Sequence, residues 1–247
     1  MLFVTAMFLP DAELVYRKKN EYLSLGRFLV QASVPLCVYT SPSSADALRE
    51  SWEGLETSHV DICTDVEVEQ HWRRDDIALP RCRSPAKDTA YYLCVQMSKL
   101  KFLSHASQRS THLAWIDYGI FHMIKKISFA QKNLKELAGP LPQRKLHKIL
   151  SPSGHLFPVD VWDAPRWLFL GSVLFGQSGT FVAAYERQRA LVLENLPKLT
   201  WEINYWTMMK EHFEGYPAGH NDGIISGALE ALRTLPIHPL FPDVSTE

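Results

Sequence analysis

Short apolar runs alternate with amphipathic segments along the first half of the chain. Such runs are typical of buried parallel strands, and apolar residues at helical spacing between them predict helices. The predicted strands are Leu2–Phe8, Leu36–Tyr39, His59–Cys63 and Thr111–Asp117, and the predicted helices are Asp11–Ala32, Ala45–Trp52 and Asp88–Ala106. Strands and helices in alternation favour a right-handed, parallel α/β arrangement.

The pattern is looser in the second half. Prolines between residues 140 and 158 predict a loop-rich connection there, and the charged stretch Asp65–Pro85 predicts a surface excursion. The other predicted elements are a helix over Phe121–Asn133, a strand pair or bulged strand over Trp167–Gly176, and helices over Ser178–Asn195 and Trp201–His212. Neither a repeat nor a linker interrupts the sequence, so we expect a single domain over residues 1–247.

The run Leu113–Ile116 ends abruptly in Asp117, Tyr118 and Gly119. Ligands of parallel sheets bind beyond the carboxyl ends of the strands, so a carboxylate at this position is well placed to hold a divalent cation and, through it, phosphate. The same acid is also a common cap of a following helix. This stretch by itself leaves both interpretations open.

Composition narrows the class of protein. Hydrophobic residues make up 46% of the chain and charged residues 21%, which is a normal globular mixture. The net charge of -1 argues against a nucleic-acid partner held by a basic surface. The four cysteines form no CxxC pair, which suits a reducing compartment and disfavours a structural zinc site.

One uncharged stretch, Trp167–Tyr185, is about long enough to cross a bilayer. Its glycines and polar residues fit a strand, a turn and a helix start better than a membrane span. The amino terminus has no basic region before its apolar run and no cleavage site, so we expect no signal peptide. We therefore expect a cytoplasmic protein, with peripheral attachment to a membrane left open.

Two later segments carry further candidates for chemistry. Glu202 lies in the first turn of a predicted helix, where it has the properties of a general base, although the helix dipole also favours an acid there. The turn Gly219–Gly223 contains His220 and Asp222 and is otherwise an ordinary polar turn. Asp117 with the imidazole of His220 would suit Mn²⁺ or Mg²⁺.

Two motifs together resemble those of a known family. Trp115–Ile120 resembles the W-I-D-[FY]-G-I core of the HtrL/YibB-like family of glycosyltransferases, and Trp201–Trp206 is similar to its later W-E-x-N-x-W segment. The glycine-bearing run Phe169–Gly176 lies between them, as in the family. The resemblance covers the chain from Met1 to about Asp222.

The resemblance implies a GT-A-like α/β fold, in which helices flank a mixed, mostly parallel central sheet. A Rossmann-like half that binds the nucleotide sugar, residues 1–122, would be fused to an acceptor-binding half, residues 123–247. The donor would be a nucleotide diphosphate sugar bound with Mn²⁺ or Mg²⁺, and the acceptor a hydroxyl of a glycan, a lipid-linked glycan or a lipopolysaccharide precursor.

The same resemblance implies roles for individual residues. Asp117 and His220 would bind the metal, and Glu202 would be the catalytic base with Asp222 as the second choice. The implied contacts to the nucleotide sugar are Thr5 near the base, Lys87 and Lys99 at the diphosphate or ribose, Asp117, Gly119, and Gly171 where the acceptor approaches. Gly119 stands where a standard DxD motif has its second acid, so metal dependence is open. Asp117 would bind the ribose or a water-mediated cation, or Lys or Arg would take the place of the metal.

Two other classes of protein stay open at this point. One is a nucleotidyltransferase or sugar-phosphate enzyme on a similar sheet, although no glycine-rich turn follows Phe8. The other is a non-catalytic glycan-binding protein in which Asp117 and Glu202 only cap helices.

Overall fold

The computed structural model describes residues 1–8, 18–69, 76–139, 146–154, 160–217 and 222–234. The strands are β1 (Leu2–Ala6), β2 (Leu36–Tyr39), β3 (Val60–Cys63), β4 (His112–Ile116), β5 (Ile149–Ser153), β6 (Val173–Gln177) and β7 (Phe213–Pro217). The helices are α1 (Lys19–Val30), α2 (Pro42–Ser51), α3 (Ala90–Met97), α4 (Lys99–Ala106), α5 (Ile127–Ala138), α6 (Ser178–Asn195), α7 (Glu202–Met208) and α8 (Gly223–Thr234).

The strands form a seven-stranded sheet in the order β3-β2-β1-β4-β6-β5-β7. Strand β6 is antiparallel to its neighbours β4 and β5, and the other four pairs are parallel. The prediction of an α/β fold with a mixed, mostly parallel central sheet is therefore confirmed. Since β4 pairs directly with β6, this sheet continues across the proposed division at residues 122 and 123.

Helices cover the sheet on both faces. Apolar residues of α1, α2, α5 and α8 pack with Phe3, Val38 and Ala114 in one core cluster. Residues of α3, α4, α6 and α7 pack with Val4 and Trp115 in the other. Neighbouring strand residues alternate between the two clusters because side chains of a strand point to opposite faces.

The long helix predicted over Asp88–Ala106 is two helices, α3 and α4, that meet at Ser98. The Ser98 side chain is buried, donates a hydrogen bond to the Cys94 carbonyl (2.8 Å) and accepts one from the Glu69 amide (3.0 Å). A serine that bonds back to the preceding turn competes with the helical pattern. A separate helix, α4, therefore begins at Lys99.

Other boundaries also differ from the prediction. The first helix begins at Lys19 in the described part, and residues 11–17 of the prediction lie outside it. Residues 120–122 form a 3₁₀ helix before α5, and a second one, Lys210–His212, follows α7. The predicted strand pair is β6 preceded by a single bridge from Phe169 to Ser153.

The predicted surface excursion is partly wrong. Val66, Val68 and Glu69 are buried, because this segment packs against α4 and α6 through Ser98, Lys101 and Tyr185. Residues 70–75 of the same stretch lie outside the described part.

Candidate functional site

The site lies in the middle of the sheet, where the carboxyl end of β4 meets the start of β6. Ile116 is paired with Val173, and the Asp117 amide donates a hydrogen bond to the Ser172 carbonyl (2.9 Å). Asp117 and Gly171 are thereby held side by side, one just after β4 and the other just before β6. The open end of a central strand is where α/β sheets commonly bind ligands.

A buried lysine connects the candidate residues. The Lys99 ammonium donates hydrogen bonds to the Gly171 carbonyl (2.9 Å) and to Glu202 Oε1 (3.1 Å), and it lies 3.1 Å from Asp117 Oδ1. Lys99 and Glu202 are the first residues of α4 and α7, so two helix starts converge on this point. The structure thus brings together four of the residues named from the sequence.

The Lys99 ammonium and the carboxylates of Asp117 and Glu202 have opposite charges and attract one another. The Lys99 side chain is 3% exposed and that of Glu202 8%, whereas that of Asp117 is 37% exposed. Burial works to lower the pKa of Lys99, but the charges of Asp117 and then Glu202 outweigh it, and the pKa of Lys99 is raised. With one ammonium between two carboxylates, the group has a formal net charge of -1.

Asp117 has one side-chain oxygen that accepts no hydrogen bond within the described structure. Its Oδ1 accepts a hydrogen bond from Trp115 Nε1 (2.7 Å) and faces Lys99, whose Nζ also lies 5.7 Å from the Trp115 ring centroid. Asp117 Oδ2 and Glu202 Oε2 accept no hydrogen bond from the part of the chain that the structure describes. The cap of the following 3₁₀ helix is Gly119, without a side-chain bond, so Asp117 does not act as its cap.

Other residues of the Trp201–Trp206 motif hold Glu202 in position. Asn204 donates hydrogen bonds to the carbonyls of Val161 (2.6 Å) and Ala164 (3.0 Å) and accepts one from the Arg166 amide (2.6 Å), which fixes the preceding loop against α7. Trp206 Nε1 donates to Gln188 of α6 (2.8 Å). These buried bonds hold the start of α7, and with it the Glu202 carboxylate, in place.

Gly171 is needed for this close approach. A Cβ at Gly171 would lie 2.6 Å from Glu202 Oε1 and 3.1 Å from Lys99 Nζ, distances too short for an unshifted side chain. The sequence interpretation placed an approaching acceptor beside Gly171. In the structure the Glu202 carboxylate and the Lys99 ammonium fill that space.

Two of the remaining candidates, Thr5 and the second-choice base Asp222, are not among the hydrogen-bond and ion-pair partners of Lys99 within the described structure. Thr5 is fully buried on the face of the sheet opposite to Lys99, since it follows Phe3 by two residues and is paired with Val38. Its hydroxyl has no hydrogen-bond partner among the described residues. Asp222 accepts hydrogen bonds from the backbone amides of Lys125 (2.7 Å) and Lys126 (3.1 Å) before α5. The bond from Lys126, followed by that from Lys125, lowers the pKa of Asp222.

Lys87 is linked to the site through Tyr92, a residue that the sequence interpretation missed. Lys87 Nζ lies 5.4 Å from the centroid of the Tyr92 ring. Burial, and then the charges of Glu202 and Asp117, raise the pKa of Tyr92.

The described residues do not fit a metal ion between the two carboxylates, because the Lys99 ammonium already occupies that point. Gly119 adds no ligand, and the described chain contains no group of three or more His, Cys, Asp or Glu side chains suited to a metal. His220 lies in residues 218–221, outside the described part. The Mn²⁺ or Mg²⁺ site therefore stays a prediction.

The described part of the chain contains no helix that is both long and apolar enough to cross a membrane. The stretch Trp167–Tyr185, which was weighed as a span, contributes β6 and the start of α6.

Comparisons with known proteins return structural similarity only. A scan of protein-family models and a search of curated proteins give no match. Mouse xyloside xylosyltransferase 1 aligns with a TM-score of 0.43 and 9% identity, over 87% of this chain and 84% of its own. The 4-diphosphocytidyl-2C-methyl-D-erythritol synthase of Anaerococcus prevotii aligns with a TM-score of 0.44 and 10% identity, over 93% and 97% of the two chains.

A proposed glucose-1-phosphate thymidylyltransferase from Bacillus anthracis aligns with a TM-score of 0.41 and 9% identity, over 96% of this chain and 97% of its own. At these TM-scores the three similarities carry no argument about the reaction.

Proposed function

We propose that this chain is a glycosyltransferase that moves a sugar from a nucleotide diphosphate sugar to a hydroxyl of a glycan or lipopolysaccharide precursor. The supporting observation is the convergence of Asp117, Glu202 and Lys99 at the carboxyl end of β4, where one carboxylate oxygen of each acid accepts no hydrogen bond from the described residues. The resemblance of Trp115–Ile120 and Trp201–Trp206 to the HtrL/YibB-like family points to the same reaction.

The free oxygens have distinct roles in this proposal. Asp117, the more exposed acid, accepts a hydrogen bond from a hydroxyl of the donor. Glu202 accepts the proton of the acceptor hydroxyl as that oxygen attacks the anomeric carbon, and the bond from this carbon to the diphosphate oxygen breaks. This assignment describes an inverting transfer, in which a single base is sufficient.

Lys99 is a positioning residue. Its hydrogen bonds to Gly171 and Glu202 and its contact with Asp117 use the three donors of an ammonium, so it holds both acids in place rather than contacting the ligand. Lys87, half-buried beside Tyr92, is the cation that we assign to the leaving diphosphate.

A thermal-shift series with UDP, GDP and CDP tests the proposal, each with and without Mn²⁺. A ligand at about 100 times its Kd adds about 2.7 kcal/mol, which raises the Tm of a chain of this size by roughly 5–10 °C. We expect such a shift from at least one nucleoside diphosphate. A shift only with nucleoside triphosphates would instead indicate a nucleotidyltransferase, and a shift only with free sugars would indicate a glycan-binding protein.

The variant Asp117→Ala should lose the shift and donor turnover while it keeps the wild-type circular dichroism spectrum. Glu202→Gln keeps a side chain that can face Lys99, so it should retain nucleotide binding and lose transfer. Transfer at the wild-type rate by Asp117→Ala would remove this acid from the site and overturn the proposal.

A further inference from the structure

A second cluster of reactive side chains lies on the outer strands of the sheet. Cys37 of β2 and Cys63 of β3 have their sulfur atoms 3.1 Å apart. Cys37 is paired with Asp61 and Tyr39 with Cys63, so the two cysteines are diagonal neighbours on the same face of adjacent strands. All four cysteines of the chain are free thiols, and this is the pair that the described structure brings together.

One arginine, Arg109, contacts both sulfur atoms. Arg109 Nη1 lies 3.0 Å from Cys37 Sγ and 3.5 Å from Cys63 Sγ, and its other terminal nitrogen pairs with the Asp61 carboxylate. The Asp61 carboxylate thus holds the Arg109 guanidinium beside the two thiols. A fixed positive charge next to a cysteine favours its thiolate, which is the nucleophilic form.

The two thiols differ in environment. The hydrogen bond from Cys37 lowers the pKa of Cys63 to about 7; the Arg109 charge also lowers it, while burial and the nearby Asp65 and Asp61 oppose the shift. The bond to Cys63, and then burial, raise the pKa of Cys37. Cys63 is partly exposed and Cys37 is fully buried. The accessible member of the pair is therefore also the more reactive one.

We infer that Cys37 and Cys63 form a peroxide-sensitive dithiol that closes to an intramolecular disulfide. The Cys63 thiolate attacks one oxygen of hydrogen peroxide, the O–O bond breaks, and a sulfenic acid and hydroxide form. The Cys37 sulfur then attacks Cys63 Sγ, the S–O bond breaks, and the released hydroxide takes up the Cys37 proton. Overall, two thiols lose two electrons and two protons, and one peroxide becomes two water molecules.

The geometry requires only a small movement. A disulfide bond is about 2.05 Å long, so the sulfur atoms have to approach by roughly 1 Å. Diagonal strand neighbours have Cα atoms about 7–8 Å apart, slightly beyond the usual span of a disulfide, so closure combines side-chain rotation with a small shift of the two strands. The attack of Cys37 on the sulfenic acid needs no encounter with another molecule, so it should be faster than further oxidation of Cys63.

The test exposes the folded, full-length protein to a few equivalents of hydrogen peroxide, followed by digestion without reductant and mass spectrometry. We expect a disulfide-linked peptide pair containing Cys37 and Cys63, with a loss of about 2 Da and no loss at the buried Cys94. Cys82 is exposed and belongs to neither step, so the experiment is done in a Cys82→Ser background. Two intact thiols at Cys37 and Cys63 after this treatment would overturn the inference.

Two variants separate the dithiol from simple surface oxidation. Cys37→Ser should let the sulfenic acid accumulate on Cys63, where dimedone traps it, and the intact protein should trap little. Arg109→Gln should slow disulfide formation at pH 7 about two- to threefold, because the Arg109 charge is the second of two causes that lower the pKa of Cys63 and the bond from Cys37 remains. Both variants should unfold within a few degrees of the parent. Equal trapping in Cys37→Ser and in the parent would contradict a resolving role for Cys37.

Discussion

A methyl group at Gly171 tests whether the Lys99 group is as tightly packed as the structure shows. In Gly171→Ala the new Cβ would lie 2.6 Å from Glu202 Oε1, and ordinary contact begins near 3.4 Å. The carboxylate therefore has to move by about 0.8 Å, away from a lysine that now lies 3.1 Å from it. Loss of a hydrogen bond between charged groups costs about 1.5–3 kcal/mol, so we expect destabilisation of about 2 kcal/mol.

The measurement is the free energy of unfolding in urea, with the thermal midpoint as a second probe. For a chain of this size, about 2 kcal/mol lowers the Tm by roughly 4–8 °C. Gly179→Ala is the matched control, because a Cβ there has no atom within 4 Å and the residue lies in α6. It should be neutral or stabilising by about 0.5 kcal/mol.

A double-mutant cycle with Glu202→Ala isolates the contact. Because removal of the carboxylate relieves the clash, Gly171→Ala should cost at least 1 kcal/mol less in the Glu202→Ala background, as an estimate for directly coupled sites. Equal costs in both backgrounds, or equal effects of the two glycine substitutions, would show that the carboxylate does not lie against Gly171.

Three further results are expected. Lys99→Met should destabilise the fold by about 3 kcal/mol in urea titrations, since removing one partner of a buried ion pair leaves an unpaired charge; a cost near zero would mean that Lys99 is not buried between the acids. Gly26→Ala places a Cβ 1.9 Å from Tyr118 Cζ, so it should lower the free energy of unfolding by about 3 kcal/mol. Tyr118→Ala in the same chain should restore part of that loss, and no restoration would show that the ring lies elsewhere. The rate of Cys63 alkylation by iodoacetamide should rise with pH through a midpoint near pH 7, because thiolate forms above the pKa. Arg109→Gln should move that midpoint to higher pH. An unchanged midpoint would exclude Arg109 as a cause of the lowered pKa.

Those parts of the fold that depend on local pattern could be predicted from the sequence. The apolar run Leu36–Tyr39 is strand β2 with the predicted bounds, and Ser178–Asn195 is helix α6. The acid after β4 lies at the open end of a central strand, as the abrupt end of the run indicates. In these segments burial and sequence period agree, so a single sequence contains the necessary information.

Two of the missed elements are strands in which tertiary contacts override local preference. Strand β5 contains Pro152 and strand β7 contains Gly215 and Pro217, residues that normally argue against a strand. The two strands nevertheless pair over five positions, and β7 is the edge strand, where proline is tolerated. The break between α3 and α4 depends on the Glu69 amide, which lies 29 residues away in the chain.

The residues of the candidate site were recognisable from the sequence, but their arrangement was not. Asp117, Glu202, Gly171 and Lys99 were each singled out, yet 72 and 103 residues separate Lys99 from two of its partners. No local period relates positions at such distances. The lysine had been assigned to the diphosphate or ribose, whereas its three donors face groups of the protein.

The position of the ammonium gives a physical reason for the single acid in the β4 motif. A second carboxylate two residues after Asp117 would add a negative charge to a motif whose acid already shares one buried cation with Glu202, and like charges at close range repel in a partly buried site. Glycine at that position avoids the added charge. With Lys99 fixed by Gly171 on one side and by the start of α4 on the other, the positive charge stays in place without a ligand from the solvent. The site is therefore organised before any ligand binds, which lowers the cost of ordering it on binding.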